Sequence, residues 1–139
     1  AAAEVDRRVR ESLDAVGLTD ADGLLPGQLS GGMVKRAALA RAIVTRPVIL
    51  LCDEPFSGLD PVSARRIEAL LSAINRRFGM TVIVVSHDIP STMRMASAVL
   101  LLLPGGAVEG TPEALRASAD PRVAAFLDPD IEAALRVQP

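Results

Sequence analysis

This sequence is poor in the residues that support several common kinds of function. Its 139 residues include one cysteine, one histidine, and no tryptophan or tyrosine. A single cysteine allows no internal disulfide and, beside a single histidine, gives no Cys/His metal spacing, which fits a reducing compartment. The lack of tryptophan and tyrosine and a net charge of −2 argue against stacking on bases or binding a phosphate backbone. We therefore expect no nucleic-acid partner.

Long apolar runs and a lysine-bearing phosphate loop are also absent. The longest apolar run, Ala98–Leu103, is far below the ~20 residues that a membrane helix needs. Lys35 is the only lysine and no G-x-x-x-x-G-K-[ST] loop precedes it. Cys52 lies inside an apolar run, where a small core residue is the better interpretation than a nucleophile. The first residues already follow a helical pattern without a start methionine, as if continued from a longer chain.

The most informative stretch that is present runs from Arg46 to Asp60. Its apolar part, Val48–Cys52, predicts a strand buried on both faces, as in a parallel sheet covered by helices. The run stops at Asp53 and Glu54, because Pro55 cannot donate a ladder hydrogen bond. Open α/β sheets bind their ligands at the carboxyl ends of strands. The two acids are therefore candidate site residues, although two solvated acids at a strand end remain the alternative.

Helices alternate with further strands along the chain. Apolar residues at helical spacing predict helices that end at Gly17 and Gly79, and Thr81–Val85 predicts a second strand buried on both faces. That strand ends at polar residues that include His87, and Ala98–Leu103 is a third apolar run. Strands that alternate with helices predict parallel pairing through right-handed crossovers, hence an α/β fold. Capping residues followed by glycine or proline predict three helix starts, at Ser30–Gly31, Asp60–Pro61 and Thr111–Pro112.

A Ser-Gly-Gly turn precedes a helix that is rich in alanine and leucine. Ser30 is a good N-cap, and Gly31 and Gly32 allow other groups to approach the backbone closely. A helix N-terminus offers free N–H groups and the positive end of the helix dipole, which suit an anion. The alternative is an ordinary capped helix.

Together and in this order, these segments resemble the ATP-binding subunit of ABC transporters. Leu29–Met33 is similar to the signature motif of that family, Val48–Asp53 to its Walker B strand and Ser57–Asp60 to its D-loop. Glu54 stands where the family has its catalytic glutamate, and His87 stands where it has the switch histidine. The resemblance covers nearly the whole chain and implies a P-loop NTPase-like parallel sheet with flanking helices.

The resemblance implies ATP and Mg²⁺ as ligands and hydrolysis of ATP as the reaction. Asp53 would hold Mg²⁺, through water, as suits a hard oxygen ligand. Glu54 would orient or deprotonate the attacking water, and His87 would contact the γ-phosphate. For His87 the alternative is a capping residue.

The resemblance also implies a second ATPase subunit, bound head to tail, and a membrane permease. Ser30, Gly31 and Gly32, in one loop with Met33, would present donors to the γ-phosphate of a nucleotide bound by the second subunit. Met33 could instead be a helix residue that faces a partner. Asp60 would cross the dimer interface, although it can serve as a plain helix cap at the same time.

Several parts of the family pattern do not occur in this sequence, namely the phosphate loop, the Q-loop glutamine and the early strands with the adenine-stacking aromatic residue. We interpret the chain as a partial nucleotide-binding domain that begins inside the helical subdomain. Residues 1–45 would belong to that subdomain, residues 46–111 to the Walker B, D-loop and switch-histidine core, and residues 112–139 to C-terminal helices. We expect that this polypeptide alone does not bind or hydrolyse ATP appreciably, and that its open sheet edges and apolar face favour oligomers.

A finer resemblance concerns the transported solute. Four segments are similar to Mla-type ATPases of phospholipid transport, which work with substrate-binding proteins of the mammalian-cell-entry type: Met33–Ala37, Ser86–Pro90, Gly110–Glu113, and Asp120–Val123 with Phe126–Leu127. That branch implies a cytoplasmic protein, peripheral on the inner face of the bacterial inner membrane. Alternatives are an importer ATPase for another solute, a non-transport ABC protein acting on DNA or ribosomes, and a non-catalytic remnant that lends only its signature loop.

Overall fold

The computed structural model describes residues 2–21 and 23–128, which divide between His87 and Asp88 into two compact units. The first contains, in chain order, α1 (Ala2–Ala15), a 3-10 turn (Pro26–Gln28), α2 (Gly31–Ile43), β1 (Ile49–Asp53), α3 (Pro61–Phe78) and β2 (Thr81–Val85). The predicted divisions after residues 45 and 111 stay predictions.

Strands β1 and β2 form a parallel pair joined through α3, which confirms the predicted parallel pairing for these two strands. Ile49 lies opposite Thr81 and Asp53 lies opposite Val85, so the two strands end side by side. Leu50 faces the core and is 4% exposed. The segments that follow the two strands are therefore neighbours, as a parallel register requires.

The prediction that these strands are buried on both faces is wrong for this chain. Exposure alternates along β1, and Leu51 is 73% exposed while its neighbour Leu50 is covered. The same alternation occurs on β2, where Ile83 and Val85 are exposed. The physical reason is that only one face of the pair is covered within the part of the chain that the structure describes. The other face carries aliphatic side chains in solvent.

Helix ends follow the local signals of the sequence. Helix α1 stops before Gly17, which has a φ of 66°, and α3 stops at Gly79, which has a φ of 65°. The left-handed conformation lets the Gly79 N–H donate to the carbonyl of Asn75 and close the helix. Ahead of β1, the guanidinium of Arg46 lies 3.9 Å from the ring centroid of Phe78 and pairs with the Glu11 carboxylate. These contacts tie the entry of the strand to α1 and α3.

The second unit is an antiparallel hairpin with short helices. It contains α4 (Ile89–Met95), β3 (Val99–Leu103), β4 (Gly106–Gly110), α5 (Pro112–Arg116) and α6 (Pro121–Leu127). Strand β3 pairs antiparallel with β4, so the parallel pairing predicted for the third apolar run is wrong. Only Pro104 and Gly105 separate the two strands, and so short a connection permits antiparallel pairing alone. Alternate residues of β3 enter a core that also includes Met93, Leu115 and Val123. Helices α5 and α6 lie in the region predicted to hold C-terminal helices, of which residues 129–139 are outside the described residues. Within residues 2–21 and 23–128, no helix has the length and apolarity to cross a bilayer.

Candidate functional site

Glu54 is the first residue after β1, and it turns the chain sharply. Its φ of 47° lies in the left-handed region, which side chains other than glycine seldom adopt. Its N–H still donates to the carbonyl of Val85, at 2.8 Å, so the backbone stays attached to the end of β2. Strained backbone of this kind persists only where the surroundings fix it, and it is concentrated at functional sites.

The carboxylate of Glu54 reaches the segment that follows β2. One oxygen, Oε1, accepts from the backbone N–H of His87 at 3.0 Å, and the other, Oε2, lies 2.9 Å from Nδ1 of the same residue. Ser86 Oγ also donates to Oε2, at 3.4 Å. The structure therefore brings together Glu54 and His87, the two residues predicted from the sequence as the catalytic pair.

The electrostatics of this pair favour an ionised carboxylate. The hydrogen bond from the His87 side chain, helped by the His87 backbone, holds the pKa of Glu54 below its ordinary value of 4.5. The His87 side chain is 80% exposed and that of Glu54 is 34% exposed, so solvent and a ligand can reach both. A carboxylate that is charged at neutral pH, fixed in direction and accessible can accept a hydrogen bond from a bound water.

Asp53 is the last residue of β1 and lies on the exposed face of the strand pair with Leu51. The structure thus leaves this carboxylate open to solvent beside the Glu54 turn. Within the described residues, no group of three His, Cys, Asp or Glu side chains is arranged to hold a metal ion. Mg²⁺ is commonly held by one or two carboxylates, with waters and substrate phosphates as its other ligands. A lone exposed Asp53 fits that mode.

The predicted cap of α2 is present. Ser30 Oγ accepts from the backbone N–H of Met33, at 3.3 Å. A Cβ placed at Gly31 or Gly32 would meet no atom within 4 Å, so packing inside the chain does not require glycine at either position. Both glycines are exposed at the helix start. The open backbone there suits close approach of an external group.

Lys35 is a residue of this site that the sequence analysis missed. Its Nζ donates to the carbonyl of Pro55, at 3.4 Å, and to the carbonyl of Ser57. The contact joins α2 to the turn that follows Glu54. The signal available beforehand was that the only lysine of the chain stands two residues after the Leu29–Met33 motif. Its partners could not be found from local patterns, because 20 and 22 residues separate Lys35 from the two carbonyls.

Asp60 is confirmed as the cap of α3. One of its carboxylate oxygens, Oδ1, accepts from the N–H groups of Val62, at 2.9 Å, and Ser63, at 3.0 Å, and Ser63 Oγ donates to the other. The Ser63 hydroxyl, followed by the backbone donors, lowers the pKa of Asp60. The predicted role of Asp60 at a dimer interface stays a prediction.

Known proteins with similar sequences belong to the family that the motifs of this chain resemble. The ABC transporter family model matches residues 2–57. The intermembrane phospholipid transport system ATP-binding protein MlaF of Escherichia coli (strain K12) is 46% identical over 121 residues, which are 86% of this chain and 45% of that protein. The methionine import ATP-binding protein MetN 1 of Yersinia pestis bv. Antiqua (strain Antiqua) is 43% identical over 107 residues, which are 77% of this chain and 31% of that protein.

Solved structures give the same result for the fold. The chain resembles CbiO1 of Clostridium perfringens, part of the ABC transporter complex CbiONQ, with a TM-score of 0.80, 28% identity, and coverage of 99% of this chain and 55% of that one. The ADP conformation of MJ1267, an ATP-binding cassette, aligns at a TM-score of 0.74 and 20% identity, over 97% of this chain and 51% of that one, and supports the fold alone.

The fold, the order of the motifs and the similar proteins together place this chain in the class of ATP-binding cassettes. The chain belongs to the ABC transporter family and corresponds to part of such a cassette. The aligned region spans less than half the length of the curated relatives, 45% of MlaF and 31% of MetN 1.

Proposed function

We propose that this chain supplies the hydrolytic half of the ATP site in an ABC transporter ATPase subunit. The observation that carries the proposal is the Glu54 carboxylate, which stands at the carboxyl end of β1 and is held by both the backbone and the ring of His87. Ligands of open α/β sheets bind at this edge. The two polar strand ends meet there because the strands run parallel in register.

In the proposed reaction Glu54 orients the water that attacks the terminal phosphate. Its lowered pKa keeps it charged but makes it a weak base, which favours orientation over early proton removal. His87, exposed beside it, contacts the terminal phosphate. Mg²⁺, when bound, offsets phosphate charge, and Asp53 is the residue of this chain that would hold it.

The start of α2 contacts a second nucleotide in this proposal. Ser30, Gly31 and Gly32 present a hydroxyl and unobstructed backbone at the positive end of the helix, with Met33 in the same turn. They contact the γ-phosphate of ATP held by a second ATPase subunit that is bound head to tail, and Asp60 lies in the shared interface. Such a dimer drives a membrane permease from the cytoplasmic side of the bacterial inner membrane.

Phospholipid is the solute that we propose. The support is the 46% identity to MlaF over 121 residues, against 43% over 107 residues for MetN 1. The Met33–Ala37 sequence also resembles the Mla branch. A substrate-binding protein of the mammalian-cell-entry type would then be a further partner. Another solute, such as methionine, is the alternative, and lipid transfer between vesicles that contain the reconstituted transporter would distinguish the two.

A second candidate function concerns the 139-residue chain by itself. No G-x-x-x-x-G-K-[ST] loop occurs within these residues, so nothing here supplies the usual cradle for the β- and γ-phosphates. The chain alone would then be a non-catalytic module that lends its α2 start to a complete subunit. Isothermal titration of this chain with Mg-ATP tests the point: we expect no binding at micromolar concentrations, and micromolar affinity would contradict it.

The hydrolytic assignment is tested by Glu54→Gln in the natural polypeptide that contains these residues. We expect phosphate release to fall by at least about a hundredfold, because a neutral amide cannot orient or deprotonate water as a carboxylate does. Nucleotide binding should persist and give ATP-bound dimers. Glu109→Gln, a change at an exposed glutamate of β4, is the matched control and should keep wild-type turnover. Equal phosphate release from wild type and Glu54→Gln would remove Glu54 from the site.

A further inference from the structure

Lys35 connects two segments that the proposed site uses. It lies in the second turn of α2, after the Ser30 cap, and it is half-buried. Its ammonium bonds the carbonyls of Pro55 and Ser57, which belong to the turn immediately after Glu54. A contact at this place links the start of α2 to the carboxylate at the end of β1, within one compact unit of the chain.

The carbonyls that Lys35 bonds are not used by the turn itself. The internal hydrogen bonds of the turn run from the Ser57 N–H to the Glu54 carbonyl, at 3.2 Å, and from the Leu59 N–H to the Phe56 carbonyl, at 3.2 Å. Bonds from an ammonium to neutral carbonyls are stronger than those between neutral groups. The Phe56 side chain is buried, so the turn is anchored from inside while Lys35 holds it from α2.

The backbone of Glu54 needs such support. A residue other than glycine at a φ of 47° stays there only if its neighbours prevent relaxation. On the β2 side, the Val85 carbonyl and His87 hold Glu54. On the other side the chain continues into the turn whose Pro55 and Ser57 carbonyls bond Lys35. Lys35 is therefore the contact from α2 that limits relaxation of this turn.

We propose that Lys35 is a positioning residue for the reaction, and that it couples the start of α2 to the orientation of Glu54. Through Lys35, the turn that follows Glu54 is fixed to the helix whose start carries the Ser30 cap. This inference rests on the proposed function.

The test compares ATP hydrolysis by variants of the natural polypeptide. Lys35→Met keeps the aliphatic stem but loses the charge and all three donors, so kcat should fall at least about tenfold while KM for ATP stays within about twofold, since misplacement of a catalytic group mainly affects the chemical step. Lys35→Arg retains charge and donors and should recover most of kcat. Arg41→Met, an exposed change near the end of the same helix, should behave as wild type.

A second measurement does not depend on turnover. In the 139-residue chain, the amides of Ser57 and Leu59 should exchange with deuterium several-fold faster in Lys35→Met than in wild type, at equal melting temperature. Any of three results for Lys35→Met would overturn the inference. These are a wild-type kcat, a change confined to KM, and unaltered exchange of these amides. Equal phosphate release from wild type and Glu54→Gln would instead contradict the proposed function. If Glu54→Gln is inactive while Lys35→Met is fully active, only this inference fails.

Discussion

Both carboxylate oxygens of Glu54 are held by the single residue His87, one through the backbone N–H at 3.0 Å and one through Nδ1 at 2.9 Å. The contact spans 33 residues of sequence and joins the ends of β1 and β2. It depends on the parallel register, since a shift by one residue would move the acid away from both donors. The pair is therefore a consequence of the fold, and it fixes the orientation of the Glu54 carboxylate.

The first prediction concerns pH. The pKa of Glu54 in the folded chain lies below its ordinary value of 4.5, so the unfolded chain binds more protons in acid. The stabilisation is present above about pH 4.5 and is lost as pH falls through the folded pKa. Unfolding free energy should therefore fall less steeply below this pH in Glu54→Gln than in wild type, as measured by denaturant titration.

His87→Ala provides the control for this pH effect, because the His87 side chain is the largest cause of the lowered pKa. That variant should also show the shallower acid dependence, whereas Ser86→Ala, which removes the smallest contribution, should retain most of the wild-type slope. Identical slopes in wild type, Glu54→Gln and His87→Ala would show that the Glu54–His87 hydrogen bond does not form in solution.

The second prediction concerns two buried serines. Ser12 on α1 is fully buried, and within the described residues its Oγ has no hydrogen-bond partner. Burying an unpaired hydroxyl costs free energy, so Ser12→Ala should raise the unfolding free energy by about 1 kcal/mol. Ser91 on α4 is equally buried, but its Oγ accepts from Arg94 at 3.1 Å. Ser91→Ala should cost about 1 kcal/mol in the same measurement, and a loss of stability in both variants would contradict the assignment of Ser12.

The third prediction separates the capping role of Ser30 from its proposed binding role. Ser30→Asp keeps an acceptor for the Met33 N–H, so the unfolding free energy should change by less than about 0.5 kcal/mol. Ser30→Ala should cost about 1 kcal/mol. A carboxylate at the helix start repels a phosphate, so ATP-dependent dimers of the natural polypeptide should disappear in Ser30→Asp. Wild-type dimerisation in that variant, followed by light scattering, would exclude a phosphate site there.

The fourth prediction concerns the open face of the strand pair. Leu51 projects from it with 73% of its surface exposed, among other exposed aliphatic side chains of β1 and β2. The 139-residue chain should therefore self-associate, and Leu51→Glu should weaken association at least about tenfold, because burial of a leucine contributes about 2 kcal/mol. Val62→Glu alters an aliphatic residue that is 60% exposed on α3 and serves as the control. A compact monomer of the wild-type chain in sedimentation velocity would contradict this prediction.

Local features of the fold are predictable from the sequence, because their causes lie within a few residues. Ser30, Asp60 and Thr111 cap the helices that their side chains predict, and Gly79 ends α3 in the left-handed conformation. The order of motifs likewise places Glu54 and His87 at neighbouring strand ends, because parallel pairing follows from the alternation of elements.

Features that depend on distant or outside parts of the chain are not predictable in this way. The missing family segments led us to expect an open apolar face, but an apolar run such as Val48–Cys52 has the same composition on either face. That Leu51 projects from the open face therefore required the structure. The contact between Lys35 and the Ser57 carbonyl depends on how α2 packs, which no local pattern encodes. The left-handed backbone of Glu54 is equally invisible, since glutamate has no preference for that conformation.

The most direct test is a structure of the natural polypeptide with Glu54→Gln and bound Mg-ATP. We expect the terminal phosphate to lie within hydrogen-bonding distance of His87 and next to residue 54, with Ser30 of a second copy on its other side. A nucleotide whose terminal phosphate lies away from the ends of β1 and β2 would exclude the proposed site.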